Sequence, residues 1–331
     1  MHLTGKLGTG LVAASLAALL THCTASRIGL VECNIDSDCG EGRVCSAVRT
    51  CVNRTPAPSP CAALGTRAKA GAAGPLLILV DAPIAGDCFW MDQTEVTVGQ
   101  YKTWLSGLDG AAPSWSAMAA CAWKSGDAGE AAPFDPGSPN SECVVPQDEA
   151  TPFEDDKPIR CVDWCEAQAF CQWADKRLCY DYNTTGQLAP QEATAEWPQA
   201  CSSGADGAYP FDSTAPGRVC NYDQSQQGCV PTTLGNGHLC GPLPVGSSAD
   251  CHPAPGAPFD LGGNVSEWTD LCQVAPTADS HCEYHGGSYA SIKQDLACIS
   301  SHNAPRAQRD PTLGFRCCAS LTDAERAMLS Q

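Results

Sequence analysis

The sequence predicts a loop-rich α+β fold that is cross-linked by many disulfides. Its 331 residues include 31 glycines and 25 prolines, a share that favours loops over long helices. The 23 cysteines are far more than an ordinary cytosolic enzyme carries. Two capping-box patterns, each followed by apolar residues at helical spacing, predict two main helices beside short extended segments.

The charge of the chain narrows the classes of partner. The 37 acidic and 19 basic residues give a formal charge of −18. Such a surface repels phosphate backbones and anionic lipid headgroups. We therefore expect neither a nucleic-acid partner nor direct binding to a membrane surface.

The cysteine density and the N-terminus both indicate export. Lys6 and the apolar segment 11–20 are typical of a signal peptide, and residues 20–23 (LTHC) resemble a lipobox. We expect a signal peptide at 1–23 with lipidation of Cys23, although His22 departs from the small residue usual before that cysteine. Cleavage after Ala25 is the alternative, and both leave 22 cysteines. No later segment has 18 consecutive apolar residues, so we expect no transmembrane helix. The lipid would then be the only attachment to a membrane, as in an outer-membrane or periplasmic lipoprotein.

Three further segments follow the signal peptide. Residues 31–52 carry four cysteines at six-residue spacing, too few residues for a hydrophobic core, so disulfides must hold this module. The four cysteines allow three pairings, and a zinc knuckle is the alternative. Residues 53–75 are rich in Pro, Ala and Gly and predict a linker. The main domain is expected at 76–320. The four cysteines of the module at 31–52 are Cys33, Cys39, Cys45 and Cys51.

The first half of the main domain opens with extended chain. The apolar run 76–80 suits a buried strand, and residues 89–96 also read as extended. Thr97 followed by Gln100 forms a capping-box pattern, which predicts a helix over 98–105.

A second helix is expected after residue 163. Asp163 can cap it and Glu166 occupies the third position. Residues 107–157, between the two helices, are rich in Gly, Pro and Asp and predict a long insertion. The apolar face of the second helix comprises Trp164, Ala167, Phe170, Cys171 and Ala174.

Seven motifs occur in a fixed order through the main domain. They are EVTVGQY (95–101), KPIRCVDWCEAQAFCQWADKRL (157–178), CNYDQ (220–224), PVGS (244–247), FDLGGNVSEWTD (259–270), HGGSY (285–289) and LGFRCC (313–318). In this order and spacing the chain resembles the formylglycine-generating enzyme family, also called sulfatase-modifying factors. The resemblance implies a variant of the C-type-lectin fold, with two main helices, a small twisted sheet and much irregular chain.

The resemblance also implies where chemistry would take place. Family members bind copper(I) with two cysteines, at the second and seventh positions after the aromatic residue of GGSY. Those positions are Ser291 and Leu296 here, and neither side chain supplies the thiolate that copper(I) prefers. Cys298 is the nearest cysteine, and we expect it to pair with Cys317 or Cys318. A shifted register that recruits Cys298 to a copper site is the alternative.

Other chemistries find less support. Relatives that make sulfoxides use histidine ligands in a separate helical domain, whereas the histidines here are scattered through loops. His285 stands where the family usually has an arginine before GGS. The chain also lacks the G-x-S-x-G elbow, the Walker A motif and the dinucleotide-binding glycines.

Calcium is the metal that the resemblance implies. The family's first calcium site matches the side chains of Asp260 and Glu267 and the carbonyls of Gly263 and Val265. A second site matches Asn221 and Tyr222, with its remaining ligands near 236–238. The alternative is that Asp260 and Glu267 cap a turn and pair with Arg316. We expect Trp268 to belong to the core.

We therefore expect an exported, non-catalytic family member with a calcium-stabilised, lectin-like domain that binds an unidentified protein or glycan at the cell envelope. A copper-dependent oxidase acting on a protein cysteine is the alternative. A sugar-binding lectin is a third hypothesis and rests on fold analogy.

Overall fold

The computed structural model describes residues 43–45, 51–53, 60–65, 67–82, 87–125, 132–138, 143, 153–180, 196–202, 208–212, 219–223 and 241–329. The predicted signal peptide at 1–23, with Cys23, lies outside these ranges, as do Cys33 and Cys39. The chain divides into two compact units, residues 1–57 and residues 58–331.

In the first unit, two short strands form an antiparallel pair. They are β1 (Arg43–Cys45) and β2 (Cys51–Asn53), with Cys45 directly opposite Cys51. Strand β1 falls within the predicted module at 31–52, and β2 ends one residue beyond it.

A five-stranded sheet forms one part of the second unit. Its strands are β3 (Ala68–Lys69), β4 (Leu77–Ala82), β5 (Asp87–Asp92), β6 (Arg177–Leu178) and β11 (Cys317–Ser320). All neighbours in the order β3-β4-β5-β11-β6 run antiparallel. The C-terminal strand β11 therefore lies beside strands from the start and the middle of the domain.

A four-stranded sheet forms the other part. Its strands are β7 (Ser266–Cys272), β8 (His281–His285), β9 (Ser301–Pro305) and β10 (Leu313–Phe315), in the order β10-β7-β8-β9. The β10–β7 pair is parallel, and the other pairs are antiparallel.

Both predicted helices begin at the expected caps. Helix α1 (Val98–Gly107) follows Thr97, whose side chain and Gln100 form a capping box. Helix α2 (Trp164–Trp173) follows Asp163, which forms the same motif with Glu166. Two short helices, α3 (Glu196–Ser202) and α4 (Asp323–Leu329), complete the α-helices of the described residues.

The main core lies where α1 and α2 meet the sheets. Tyr101, Trp104 and Phe170 are almost fully buried, with ring centroids 5.0–6.1 Å apart. Phe315 packs edge-to-face on Phe170 at 5.4 Å. Trp268 is fully buried in the same cluster, and its indole N–H donates to the Val162 carbonyl. It is a core residue, as the sequence suggested.

Buried ion pairs hold α2 against its surroundings. Lys124, from a 3-10 helix at Ala119–Ser125, is almost fully buried and bonds to both Asp163 and Glu166. Arg309 also pairs with Glu166. The capping carboxylates of α2 therefore bind cations from two distant segments, so the cap depends on the tertiary structure.

Eight disulfides link the sixteen cysteines whose side chains the structure describes. A disulfide typically contributes about 2–4 kcal/mol to stability, mainly because it restricts the unfolded chain. The pairs are Cys61–Cys88, Cys121–Cys165, Cys143–Cys161, Cys171–Cys317, Cys179–Cys318, Cys201–Cys298, Cys220–Cys251 and Cys272–Cys282.

The predicted linker at 53–75 is wrong for its second half. A 3-10 helix spans Pro60–Leu64, and Cys61 within it is buried and bonded to Cys88. Strand β3 then pairs with β4. The composition of this segment suggested a free chain, but one cysteine and two backbone pairs attach it to the domain.

The insertion expected at 107–157 is anchored where it is described. Trp115 and Phe134 are buried in the main core. Cys121 bonds to α2 and Cys143 bonds to Cys161. Within the described parts of the chain, no helix is long and apolar enough to cross a bilayer.

Gly314 provides a test of the packing between β10 and the segment before α2. A Cβ atom at this position would lie 2.3 Å from the Ile159 carbonyl oxygen, a backbone atom that cannot rotate away. We expect Gly314→Ala to lower the free energy of unfolding by about 2–3 kcal/mol, measured by urea denaturation. Gly107→Ala is the matched control, because nothing lies within 4 Å of a Cβ there. Equal effects of the two substitutions would contradict this packing.

Candidate functional site

The two positions that correspond to the family's copper ligands lie side by side around Gly287. A Cβ atom on Gly287 would lie 2.9 Å from Leu296 Cδ1 and 3.1 Å from Ser291 Cβ. Both side chains therefore lie beside the same glycine.

Each side chain at these positions has a structural role. Ser291 Oγ accepts a hydrogen bond from the Ser288 amide at 3.0 Å, which closes the turn after GGSY. Leu296 is fully buried and packs with Phe211 and the Cys220–Cys251 disulfide. A hydroxyl and an isobutyl group offer no thiolate to a copper ion.

The expected pairing of Cys298 with Cys317 or Cys318 is wrong. Cys298 bonds to Cys201 of α3. Cys317 and Cys318, on opposite faces of β11, bond instead to Cys171 of α2 and to Cys179 after β6. The sequence could not separate these choices, because Cys179, Cys201, Cys298 and Cys318 all pack in one apolar cluster.

Among the described residues near this region, one group that contains cysteines has the spacing of metal ligands, but its cysteines are oxidised. Cys179, Glu196 and Cys318 approach one another closely enough to share an ion. Cys179 and Cys318 are bonded to each other, however, so neither presents a thiolate. Glu196 pairs with Arg177 through two bonds of 2.6 Å.

The second feature of the site is a buried charge cluster, called here the Arg316 cluster, formed by Arg316, Glu267, Asp260 and Glu95. Arg316 donates to both oxygens of Glu267, with distances of 2.6 and 2.7 Å, and both residues are almost fully buried. The Trp197 indole N–H also donates to Glu267 at 2.7 Å. The sequence alternative had both Asp260 and Glu267 pair with Arg316. Glu267 makes this contact, whereas Asp260 accepts a hydrogen bond from the Gly246 amide.

Asp260 and Glu95 complete the Arg316 cluster. Asp260 adopts a left-handed backbone conformation with φ of 56°, and its carboxylate accepts from the Gly246 amide at 2.6 Å. Glu95 is fully buried and interacts electrostatically with Asp260, Glu267 and Arg316. Its Oε2 has no hydrogen-bond partner among the described residues. The cluster thus places three carboxyl groups against one guanidinium.

Burial raises the pKa of these carboxyl groups because it disfavours the charged form. The pKa of Glu95 lies well above its ordinary value, first through burial and then through repulsion from Asp260. The pKa of Asp260 rises from 3.8 to about 6, also mainly through burial. The bond from Gly246 and the charge of Arg316 limit this rise.

Asn264 connects the Arg316 cluster to the second predicted metal site. Its side-chain amide donates to Glu95 Oε1 at 3.0 Å, and its Oδ1 accepts from Asn221 at 3.2 Å. Its backbone N–H donates to the Asn221 carbonyl at 2.7 Å. Gly263 precedes it with φ of 85°, and a Cβ there would lie 2.2 Å from that carbonyl, so only glycine fits.

The other predicted site residues lie nearby but differ in role. Val265 is fully buried, and Asn221 donates its amide to the Gly241 carbonyl at 3.0 Å. Tyr222 is partly exposed, and its ring stacks on Phe211. His285 stacks on Trp197, with ring centroids 4.9 Å apart, and its Nδ1 lies 2.8 Å from the Ser300 carbonyl. The positions expected near 236–238 lie outside the described residues.

Sequence reasoning missed three members of this region. Glu95 carried a signal, because a carboxylate stands alone beside apolar residues in the EVTVGQY motif. Asn264 follows two glycines, a context that favours left-handed backbone. Trp197 carried no local signal, since only the tertiary structure brings α3 to Glu267.

Comparison with known proteins agrees with this fold. Residues 80–321 match the model of the sulfatase-modifying factor enzyme 1-like domain. This protein therefore belongs to the sulfatase-modifying factor family and has its disulfide-rich mixed α and β fold.

Two curated relatives are formylglycine-generating enzymes. The Mus musculus protein is 28% identical over 240 residues, covering 66% of this chain and 55% of the relative. The Bos taurus protein is 29% identical over 184 residues, covering 50% of this chain and 44% of the relative. The matched region thus spans about half the length of these relatives.

Two solved structures are similar at lower identity. PvdO from Pseudomonas aeruginosa is 16% identical with a TM-score of 0.49, covering 76% of this chain and 100% of that one. CarF is 20% identical with a TM-score of 0.43, covering 71% and 87% of the two chains.

The raised pKa values predict that acidification stabilises the protein. Burial raises the pKa of Asp92, Asp163, Asp260 and Asp270 from 3.8 to about 6. The folded state therefore binds protons that the unfolded chain releases, a contribution that is complete below pH 3.8 and lost as pH rises through 6. In calcium-free buffer, we expect the thermal midpoint to rise by several degrees between pH 8 and pH 5.5. A steady fall over this range, in calorimetry, would contradict the shifts.

Proposed function

We propose that this protein is a non-catalytic member of its family, exported to the cell envelope, where it binds a protein or glycan partner. The observation that carries this proposal is the pair of side chains around Gly287. Ser291 and Leu296 occupy the positions of the copper ligands, and neither can bind copper(I) as a thiolate.

The packing of these residues supports the proposal. Leu296 fills space that a cysteine would leave partly empty, and Ser291 completes a turn. Cys298, the cysteine that a shifted register would recruit, is buried in its disulfide with Cys201. An oxidase would need two reduced sulfurs in this region, whereas the scaffold here is held by oxidised ones.

The decisive experiment combines thiol counting with a peptide assay. We expect no alkylated cysteine after denaturation without reductant, and no conversion of a Cys-x-Pro-x-Arg peptide to its aldehyde with copper(I), followed by mass spectrometry. Formation of the aldehyde would overturn the proposal and favour the copper-dependent oxidase.

A double substitution supplies the matched control. Ser291→Cys with Leu296→Cys places two sulfurs around Gly287, so this variant should retain copper(I) in competition with a chromogenic chelator. The wild-type protein should lose all copper in the same titration. Equal retention by both proteins would mean that copper binds elsewhere.

Calcium is part of the proposal as a structural ion. The surplus of negative charge in the Arg316 cluster and the unpartnered Oε2 of Glu95 fit a divalent cation. Asp260 and the carbonyls of Gly263 and Val265 would hold the ion. Glu267 would have to give up a bond to Arg316 to join them. Asn221 and Tyr222 remain the candidates for a second ion.

Calcium should therefore stabilise the protein, and more at pH 8 than at pH 5.5, where protons neutralise the same carboxyl groups. At a hundredfold excess over the dissociation constant, we expect the thermal midpoint to rise by about 5 °C or more. Asp260→Asn should abolish this rise, since asparagine also tolerates the left-handed backbone but carries no charge.

Asp279→Asn, at an exposed loop position, is the control and should leave the calcium effect unchanged. An unchanged midpoint in the wild-type protein, with calcium and with a chelator, would count against the site. Export and a lipid anchor at Cys23 complete the proposal and rest on the N-terminal sequence and the cysteine density.

A further inference from the structure

A cleft of about 310 Å³ opens between the 3-10 helix at Ala119–Ser125, the start of α2 and the end of β7. Its apolar lining includes Ala119, Ala120, Val274 and Pro276. We call it the Arg306 cleft after the cation in its wall. It is lined by none of the residues around Gly287 and none of the Arg316 cluster, so it is a separate feature.

Arg306 is an unusual residue for such a wall. It is only 2% exposed, and its guanidinium lies over the Trp164 ring at 5.2 Å. Its two terminal nitrogens donate only long bonds of 3.4 Å, to the Ala275 and Gln273 carbonyls. Its Nε has no partner, and no carboxylate pairs with it among the described residues.

A buried cation without a counter-ion is costly, and proteins normally pair it. Arg306 bears this cost although an acidic residue, Asp270, lines the same cleft. Asp270 interacts electrostatically with Arg177 and Glu196 and forms no ion pair with Arg306 in the described structure. The cleft therefore presents one positive and one negative group that do not neutralise each other.

The wall of the cleft is also well anchored. The Cys272–Cys282 disulfide joins β7 to β8 beside it, and the Gln273 amide donates to the His281 carbonyl at 2.9 Å. The Arg306 amide donates to the Ser280 carbonyl at 2.7 Å, and its own carbonyl accepts from Trp164. The backbone of Arg306 and the end of β7 are thus fixed before any ligand binds, which lowers the entropic cost of binding.

We infer that the Arg306 cleft binds a free amino acid with a small apolar side chain. The ligand's carboxylate would supply the counter-ion that Arg306 lacks, and its ammonium group would bind Asp270. The apolar lining suits a short aliphatic side chain. The volume lies at the lower end of the roughly 300–1,000 Å³ typical of ligand sites, which favours a small molecule.

This inference adds a small-molecule ligand to the proposed protein or glycan partner, and it uses a different region from the copper assay. If the copper assay contradicted the proposed function, the inference about the Arg306 cleft would still stand. If no amino acid bound to the cleft, the proposal that the protein is non-catalytic would still stand. The two outcomes are therefore distinguishable.

Three matched probes test the inference by isothermal titration calorimetry with the full chain. L-Leucine carries both charges, N-acetyl-L-leucine keeps only the carboxylate, and L-leucinamide keeps only the ammonium group. We expect L-leucine to bind and each derivative to bind at least tenfold more weakly. The inference is overturned if L-leucine does not bind, or if either derivative binds as tightly.

Substitutions assign the binding to the cleft. Arg306→Gln should abolish the preference for L-leucine over L-leucinamide, and Asp270→Asn should abolish the preference over N-acetyl-L-leucine. If Arg306→Gln fails to fold, Asp270→Asn still decides the question. Val274→Asp, at a fully exposed rim position, should weaken N-acetyl-L-leucine further, while Ile299→Asp at a distant exposed position should not. Unchanged preferences in the folded variants would place the binding outside the cleft and refute the inference.

Discussion

The buried pair of Arg316 and Glu267 is the interaction on which the rest of the domain depends. Arg316 is the single residue between β10, which belongs to the four-stranded sheet, and β11, which belongs to the five-stranded sheet. Its guanidinium binds Glu267 on β7 and the carbonyls of Asp92 and Phe259. One side chain therefore connects both sheets and the loop that leads into β7.

The residues around Gly287 belong to the packed scaffold without taking part in this connection. The Arg316 cluster and the aromatic core around α2 include neither Ser291 nor Leu296. Leu296 belongs instead to a buried apolar cluster with Phe211 and the Cys220–Cys251 disulfide. An aliphatic side chain at this position therefore contributes to the packing of the domain.

Local signals in the sequence were sufficient for the helices and for the family. Thr97 with Gln100, and Asp163 with Glu166, act within one turn, so their capping boxes could be read directly from spacing. The pairing of Cys298 could not be predicted, since four cysteines distant in sequence converge in one cluster. Composition alone also misassigned residues 60–75, where a single disulfide outweighs a linker-like sequence.

The candidate sites also include some features that the sequence indicates and others that only the tertiary structure shows. Asp260 and Glu267 were found because they lie in one motif, and the contact of Glu267 with Arg316 was one of the alternatives considered. Arg306 could not have been singled out, because the absence of a counter-ion among the described residues is a property of the tertiary structure. A buried charge is recognisable only when every neighbour that could neutralise it is known.

The positions of the last two cysteines have a consequence for biogenesis. Cys317 and Cys318 bond to Cys171 and Cys179, at sequence separations of 146 and 139 residues. These cross-links cannot form until nearly the whole domain has been synthesised. A chain that terminates before β11 would leave Cys171 and Cys179 as thiols on surfaces that are buried in the folded domain, where they would be open to oxidation or to exchange with other disulfides.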